Sequence, residues 1–252
     1  MIRPIAALLL SLAVYAADPA LSQAPAQRML AERIGRAYAA LALDPGNQDA
    51  RRQLGDAIQR FERQLAELRL ASKTQPALDE NYALLDQLWQ DYKRLVSASP
   101  SRDGAAKLSE LSEEVAWIAQ KGAQLAEQGG SGASRAVQLA EDAATLSQRL
   151  AKIYLLQALG VNKGFLPKDL AAARTEFEQI SKQLKSLPGL SQRLKDQIAL
   201  MDSQWFFFQQ AIDELAKNHS DRQLQRNVQT TSERIHEVAT GLAASFARTA
   251  AP

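Results

Sequence analysis

Residues 27–38 read QRMLAERIGRAY, and residues 145–156 read TLSQRLAKIYLL. Each stretch places apolar side chains three and four positions apart, which is the spacing of one face of an α-helix. A shift of 116 residues superimposes the two stretches and continues to match landmarks far downstream. The matched pairs are Leu30 with Leu146, Arg33 with Arg149, Ile34 with Leu150, Arg36 with Lys152, Tyr38 with Tyr154, Leu43 with Leu159, Phe61 with Phe177, Asp86 with Asp202 and Trp89 with Trp205. Because chance rarely aligns a tryptophan, a phenylalanine and a charged motif at one offset, the sequence indicates an internal duplication.

Apolar positions recur at helical spacing in eight segments, four in each repeat, and glycine and proline fall almost only between the segments. Alternating steps of three and four are typical of helices that pack at a shallow angle in four-helix bundles. We therefore predict an all-α protein built from two tandem antiparallel four-helix bundles, related by a pseudo-twofold axis. The predicted units are residues 18–128 and 134–247, joined by a flexible Gly/Ser linker at residues 129–133. Their first helices are expected at about 24–43 and 133–160.

Composition and the N-terminus restrict the class of protein. The chain has 252 residues, a formal net charge of +2 and no cysteine. These values give no electrostatic basis for nucleic-acid binding, and they exclude disulfides, thiol catalysis and covalent haem attachment. Arg3 precedes an apolar run from Ile5 to Ala16, which predicts a signal peptide at residues 1–17 and a periplasmic location. An uncleaved N-terminal anchor is the alternative, and no later stretch is long and apolar enough to predict a membrane span.

The two quoted stretches resemble the first-helix signature of the PilJ/NarX-like sensor domains, approximately Asn-x-Ala-Gly-x-Gln-Arg-Met-Leu-Ser-Gln-Arg-x-Ala-Lys-x-Tyr-Leu. The resemblance implies a four-helix bundle that serves as the extracytoplasmic input of type IV pilus chemotaxis transducers or of nitrate/nitrite sensor kinases. It also implies that the arginine before the methionine contacts an anion between two protomers. Arg28 fills that slot in the first repeat, and Ala144 fills it in the second. Glu32 stands where the family has glutamine, and a carboxylate there would repel an anion.

Six polar residues of the two stretches are the candidate ligand-binding residues: Arg28, Arg33, Arg36, Gln148, Arg149 and Lys152. An arginine fork suits planar oxyanions because it donates paired hydrogen bonds. The alternative is that Arg33 and Arg149 cover the bundle edge or pair with carboxylates of neighbouring helices. No residue pattern indicates a catalytic site, a metal site or a cofactor. Met29 and His236 would suit haem ligation only within one bundle, and they lie in different repeats.

Several further features carry expectations about packing. We expect Tyr38 and Tyr154 in the core with their hydroxyls at the rim. Paired acids, Glu113-Glu114 and Glu141-Asp142, are interpreted as solvated helix faces. Phe206 and Phe207 fall off the seam formed by Trp205 and Phe208. They predict a second apolar face that packs against the first repeat or a second chain, or else additional core at a broad seam.

The leading hypothesis is a non-enzymatic extracytoplasmic sensor-type protein that binds a small anion such as nitrate or nitrite. We expect the family's homodimer interface to be reproduced inside one chain by pairing of the two first helices. The protein would then be a monomer with an intramolecular pseudo-dimer, or a homodimer. Because no kinase or methyl-accepting segment is recognised, we expect it to act through a membrane-bound signalling partner or to bind and buffer a ligand. The alternative is a structural or adaptor bundle of the envelope, associated with pilus or surface functions.

Overall fold

The computed structural model describes residues 20–131, 134–215, 217 and 220–250. The described residues form eight α-helices and no strand, which confirms the predicted all-α class. The helices are α1 (Ala24–Leu43), α2 (Gln48–Ala71), α3 (Pro76–Ser97), α4 (Arg102–Ala126), α5 (Arg135–Ala158), α6 (Leu166–Ser186), α7 (Gln192–Leu215) and α8 (Arg222–Ala250). The expected signal peptide lies outside the described residues. None of the helices in the described ranges has the length and apolar character needed to cross a membrane.

Helix ends follow local chemistry at most of the turns. The Asn47 side chain accepts the Ala50 N–H at 3.0 Å at the start of α2, and Ser101 caps α4 through the Gly104 N–H at 3.0 Å. These contacts satisfy backbone donors that lack a partner within the helix. Gly160 has φ of 72°, a left-handed conformation that ends α5 and that glycine adopts without steric cost.

The first helix of each half is its central element. Helix α1 packs against α2, α4 and α5, and α5 packs in the same way against α6, α8 and α1. Within each half the third helix packs on the fourth, and the second and third helices touch only sparsely. This arrangement confirms that the two first helices pair with each other. A Cβ on Gly35 would lie 2.8 Å from the Lys152 side chain, so glycine permits the close approach of α1 to α5.

Matched aromatic pairs show that the two halves pack alike. The rings of Phe61 and Trp89 stack with centroids 4.2 Å apart and planes at 26°. The rings of Phe177 and Trp205, which the 116-residue shift places on them, stack at 4.2 Å and 24°. Such agreement at a buried contact between the second and third helices indicates that the internal repeat extends from sequence to side-chain packing.

Three packing expectations require correction. The Phe206 and Phe207 side chains are 55% and 56% exposed, so they do not pack against the first half or extend the core. Helix α7 is an outer helix that contacts mainly α8, which explains why this face is uncovered. Tyr38 and Tyr154 are core residues as expected, but both are fully buried rather than at the rim. The Tyr38 hydroxyl packs against Gly104 of α4, where a Cβ would clash with it.

The segment after α4 also differs from the prediction. A flexible Gly/Ser linker was expected there, but Glu127–Ser131 forms a π-helical turn that continues directly from α4. Residues 132 and 133 lie outside the described part of the chain. The helical turn brings α4 to the start of α5, and the side chain of Gln138 donates to Glu127 at 2.8 Å across the junction.

Candidate functional site

Four of the six candidate residues lie in two ion clusters where α1 meets α5. Arg33 and Arg36 are three residues apart on α1, as are Arg149 and Lys152 on α5, so each pair shares one helix face. Because α1 and α5 are the central helices, neighbouring helices cover these polar faces. The chain therefore holds four cationic side chains at the centre of its fold, where each needs a partner.

The α5 cluster consists of Arg149 and Lys152 with the carboxylates of Glu32, Glu113 and Asp169. Arg149 lies 2.9 Å from Glu32, 2.7 Å from Glu113 and 3.1 Å from Asp169. Lys152 Nζ lies 2.7 Å from Glu32 and 2.8 Å from Glu113, and it donates to the Ser112 hydroxyl at 3.0 Å. Two cations thus face three carboxylates. Both cations donate hydrogen bonds to groups of the chain itself, although Glu32 Oε2 accepts no hydrogen bond despite lying close to Lys152.

The close contacts of the α5 cluster shift the pKa values of its members. Burial alone would raise the pKa of Glu113, but Lys152 and Arg149 together lower that pKa to about 2. Burial opposes the charge of Arg149, yet Glu32 and Glu113 raise the pKa of its guanidinium. Glu32 is fully buried and Lys152 is 1% exposed. The expectation that Glu113 lies on a solvated face is therefore wrong, because its carboxylate turns toward α5.

The α1 cluster consists of Arg33 and Arg36 with Glu233 and Gln53. The Glu233 carboxylate of α8 lies 2.7 Å from Arg33 and 2.8 Å from Arg36. Arg36 also donates to Gln53 Oε1 at 2.7 Å. Two cations here face one carboxylate. Arg36 is fully buried, and its Nε and Nη1 donate to no group in the described part of the chain. This is the incompletely neutralised side of the α1–α5 interface.

Positive charge acts on the buried groups of the α1 cluster. Burial lowers the pKa of Arg36 to about 10, with Glu233 opposing the change and Arg33 adding to it. Burial lowers the pKa of His236 to about 3, and the charges of Arg33, Arg36 and Arg60 contribute to that lowering. A cavity of about 580 Å³ opens beside the cluster and is lined by Arg36, Gln53 and Glu233 among others. The lining of this cavity as a whole carries four arginines and five acidic residues. The Nε and Nη1 atoms of Arg36 have almost no accessible surface, so an oxyanion in the cavity would reach them only by displacing a neighbouring side chain.

The remaining two candidates do not join a cationic cluster. Gln148 is fully buried and donates to the Ser232 carbonyl at 3.3 Å, within its own half. Arg28 donates to Gln120 at 3.0 Å and lies 3.9 Å from Asp142. Burial, Asp142 and Glu127 raise the pKa of Glu141 to about 7 beside the same cleft, so acidic groups crowd the surroundings of Arg28. The family resemblance assigns anion contact to Arg28, and the acidic surroundings make anion binding at this position electrostatically unfavourable.

Sequence reasoning missed the acidic and amide partners of the cations. Glu113, Glu233, Asp169 and Gln53 come from α4, α8, α6 and α2, and Glu233 lies 200 residues from Arg33. The 116-residue shift does place Gln53 on Asp169, which was the available signal. Within the described residues, no group of three or more histidine, aspartate or glutamate side chains is arranged to hold a metal ion.

Comparison with known families gives a match in the first half of the molecule. The fold and site define an all-helical bundle protein with a polar interface between paired first helices. Residues 17–115 match the family model described as type IV pili methyl-accepting chemotaxis transducer N-term. This region, which runs from α1 into α4, is thus similar to a sensor-type helical domain and confirms that part of the resemblance. Comparisons with curated proteins and with solved structures give no match. That the second half is a further copy remains a prediction.

Proposed function

We propose that this protein is a non-enzymatic, extracytoplasmic sensor-type module that binds one small oxyanion at the α1 cluster. Nitrate and nitrite are the first candidates, because the resemblance of residues 27–38 extends to nitrate/nitrite sensors. The bound state would be passed to a membrane-bound signalling partner. The match of residues 17–115 to a chemotaxis transducer domain supports the sensor role and leaves the ligand and the partner as proposals.

One observation carries the proposal: Arg36 is fully buried, yet two of its three guanidinium nitrogens have no acceptor within the described residues. Burying a cation is costly unless opposite charge and hydrogen bonds compensate. Glu233 is shared between Arg36 and Arg33, so it cannot neutralise both. A planar oxyanion that enters from the adjacent cavity and displaces the Glu233 carboxylate from Arg36 would supply opposite charge and acceptors together.

Binding at this place would couple to the arrangement of the helices. The α1 cluster joins α1 to α2 through Gln53 and to α8, in the other half, through Glu233. An anion that competes with Glu233 for the arginines would weaken the link between the halves. A ligand shifts a conformational equilibrium only through such differential contacts. We therefore expect the relative position of α1 and α8 to report occupancy.

The test is calorimetry of the full chain against sodium nitrate, nitrite, sulfate and phosphate. We expect one of these anions to bind at a single site, Arg36→Met to abolish binding and Arg28→Met to leave it unchanged. Circular dichroism of each variant controls for folding. Loss of binding in Arg28→Met alone would move the site to the position that the family uses. No binding of any anion to the wild type would remove the ligand-binding proposal.

The second candidate function is a structural or adaptor bundle, and an exposed apolar groove favours it. Trp117 of α4 is 63% exposed and Leu84 of α3 is 44% exposed. Together with Leu88 and Ile118 they line a groove of about 560 Å³ on the outside of the first half. Exposed apolar patches of this kind commonly mark protein contacts. An envelope protein that co-purifies with the wild type and not with Trp117→Ala would support this function.

A further inference from the structure

The two ion clusters occupy equivalent places in the two halves. A shift of 116 residues places the two cations of the α1 cluster on the two cations of the α5 cluster. It also matches the residues of the second helix in each half that contact these cations. A shift of 120 residues places α4 on α8 and matches the glutamates that both cations of each cluster share. The equivalent pairs are Arg33 and Arg149, Arg36 and Lys152, Gln53 and Asp169, and Glu233 and Glu113. In each cluster the shared glutamate comes from the fourth helix of the opposite half.

The clusters differ at two positions, where the α5 cluster has a carboxylate and the equivalent residue of the other half is an amide. Asp169 reaches Arg149 at 3.1 Å, and its equivalent, Gln53, meets Arg36 as a neutral amide. Glu32 of α1 crosses the interface to Arg149 and Lys152 at 2.9 and 2.7 Å. Its equivalent on α5, Gln148, is also fully buried, but it turns to the Ser232 carbonyl within its own half. These exchanges convert a surplus of positive charge into a surplus of negative charge.

The clefts beside the clusters differ in the same direction. The cleft at Arg33, of about 240 Å³, is lined by Arg60 and Arg63 with Asp56 as its acidic residue. The cleft at Arg149, of about 270 Å³, is lined by Glu113, Asp169 and Glu176 with Arg28 as its second cation. Glu176 is the equivalent of Arg60 under the 116-residue shift. An anion that approaches through the Arg33 cleft is therefore attracted, and one that approaches through the Arg149 cleft is repelled. The larger cavity beside Arg36, lined by four arginines and five acidic residues, has no positive surplus.

We propose that Glu32 and Asp169 act as tethered anions that permanently fill the second of two equivalent oxyanion sites. A carboxylate held in place by the fold has a very high effective concentration, so a free anion does not displace it. The protein is then a pseudo-dimer with one open site, at the α1 cluster, and one closed site, at the α5 cluster. The assignment of the open site rests on the proposed function. The assignment of the closed site rests on the α5 contacts alone.

The experiment exchanges these residues between the clusters. The double variant Glu32→Gln/Asp169→Gln gives the α5 cluster the amides of the α1 cluster, and we expect calorimetry with nitrate, nitrite and sulfate to change from one site to two. Adding Arg149→Met should remove the new site and leave the original one. The reverse variant, Gln53→Asp/Gln148→Glu, should abolish binding at the α1 cluster. It should also raise the melting temperature, because it neutralises a buried cation.

The outcomes separate this inference from the proposed function. One site in the wild type and still one in folded Glu32→Gln/Asp169→Gln overturns the tethered anions and leaves the proposed function intact. No site in the wild type but one in the double variant supports the tethered anions and refutes the proposed function. Two sites in the wild type also overturn the inference. If Glu32→Gln/Asp169→Gln does not fold, persistent binding to Gln53→Asp/Gln148→Glu overturns the inference, and loss of that binding supports it.

Discussion

The α5 cluster and the α1 cluster lie at equivalent points of the fold but balance their charges in opposite ways. On α5, Arg149 and Lys152 meet three carboxylates, whereas on α1, Arg33 and Arg36 meet one carboxylate among the described residues, that of Glu233. The cations and the shared glutamate are retained in both halves. The difference comes from one residue of the facing first helix and one residue of the second helix. The two clusters therefore differ in whether the chain itself supplies enough carboxylates to neutralise the buried cations.

The largest expected effect tests whether the halves are equally well packed. Phe61→Ala and Phe177→Ala each remove a fully buried ring that stacks on a tryptophan at 4.2 Å. Each should lower the free energy of unfolding by about 3–5 kcal/mol. Because the two contacts have the same geometry, the two losses should agree within about 1 kcal/mol. Urea unfolding followed by circular dichroism measures both. A loss in one variant less than half that in the other would show that the halves are unequally packed.

The next largest difference in stability is expected from variants that remove one cation from each cluster. Lys152→Met leaves buried Glu32 and Glu113 to share Arg149, and it should cost about 3 kcal/mol of stability. Arg36→Met leaves Glu233 paired with Arg33 at 2.7 Å and removes a poorly neutralised charge, so it should cost about 1 kcal/mol or less. Urea unfolding of the two variants at pH 7 gives the comparison. Equal costs would mean that both clusters are equally satisfied in the wild type.

Acid should weaken the α5 cluster through Glu113. Its pKa of about 2 in the folded chain lies below the ordinary value of 4.5, so the unfolded chain takes up the proton first as the pH falls. The stability that this carboxylate contributes is complete above about pH 5 and is lost as the pH falls through about 2. Glu113→Gln should cost about 1–2 kcal/mol at pH 7 and much less at pH 2.5. Urea titrations at the two pH values measure this difference, and a cost independent of pH would contradict it.

The sequence predicted the helices because local periodicity determines which face each helix buries, and the pairing of the two first helices was expected from the family resemblance. Leu30 and Ile34 mark the buried face of α1, and their equivalents mark that of α5. The partners of the cations could not be predicted in this way. Glu233 reaches Arg33 of the other half although α8 packs mainly against α5 and α7, so this contact depends on the packed side chains of several helices. Glu113 was assigned to solvent for the same reason.

Periodicity also could not predict which apolar side chains remain exposed. The spacing of Phe206 and Phe207 predicted an apolar face, but which element covers such a face depends on the tertiary arrangement. Helix α7 lies at the outside of its half, away from α1 and α5. The first half has Gln90 and Asp91 at the equivalent positions of α3, both exposed. The halves therefore agree in their interior and differ on this outer face.

The smallest expected effect concerns this outer face. Phe206→Gln/Phe207→Asp gives α7 the residues of α3, and it should change the free energy of unfolding by no more than about 0.5 kcal/mol, because both rings are more than half exposed. Urea unfolding at several protein concentrations tests this expectation. A wild type whose stability rises with concentration, together with a double variant whose stability does not, would show that a second chain covers the two rings. Analytical ultracentrifugation would then give a dimer for the wild type and a monomer for the variant. The outer face of α7 would in that case serve an assembly role that the first half lacks.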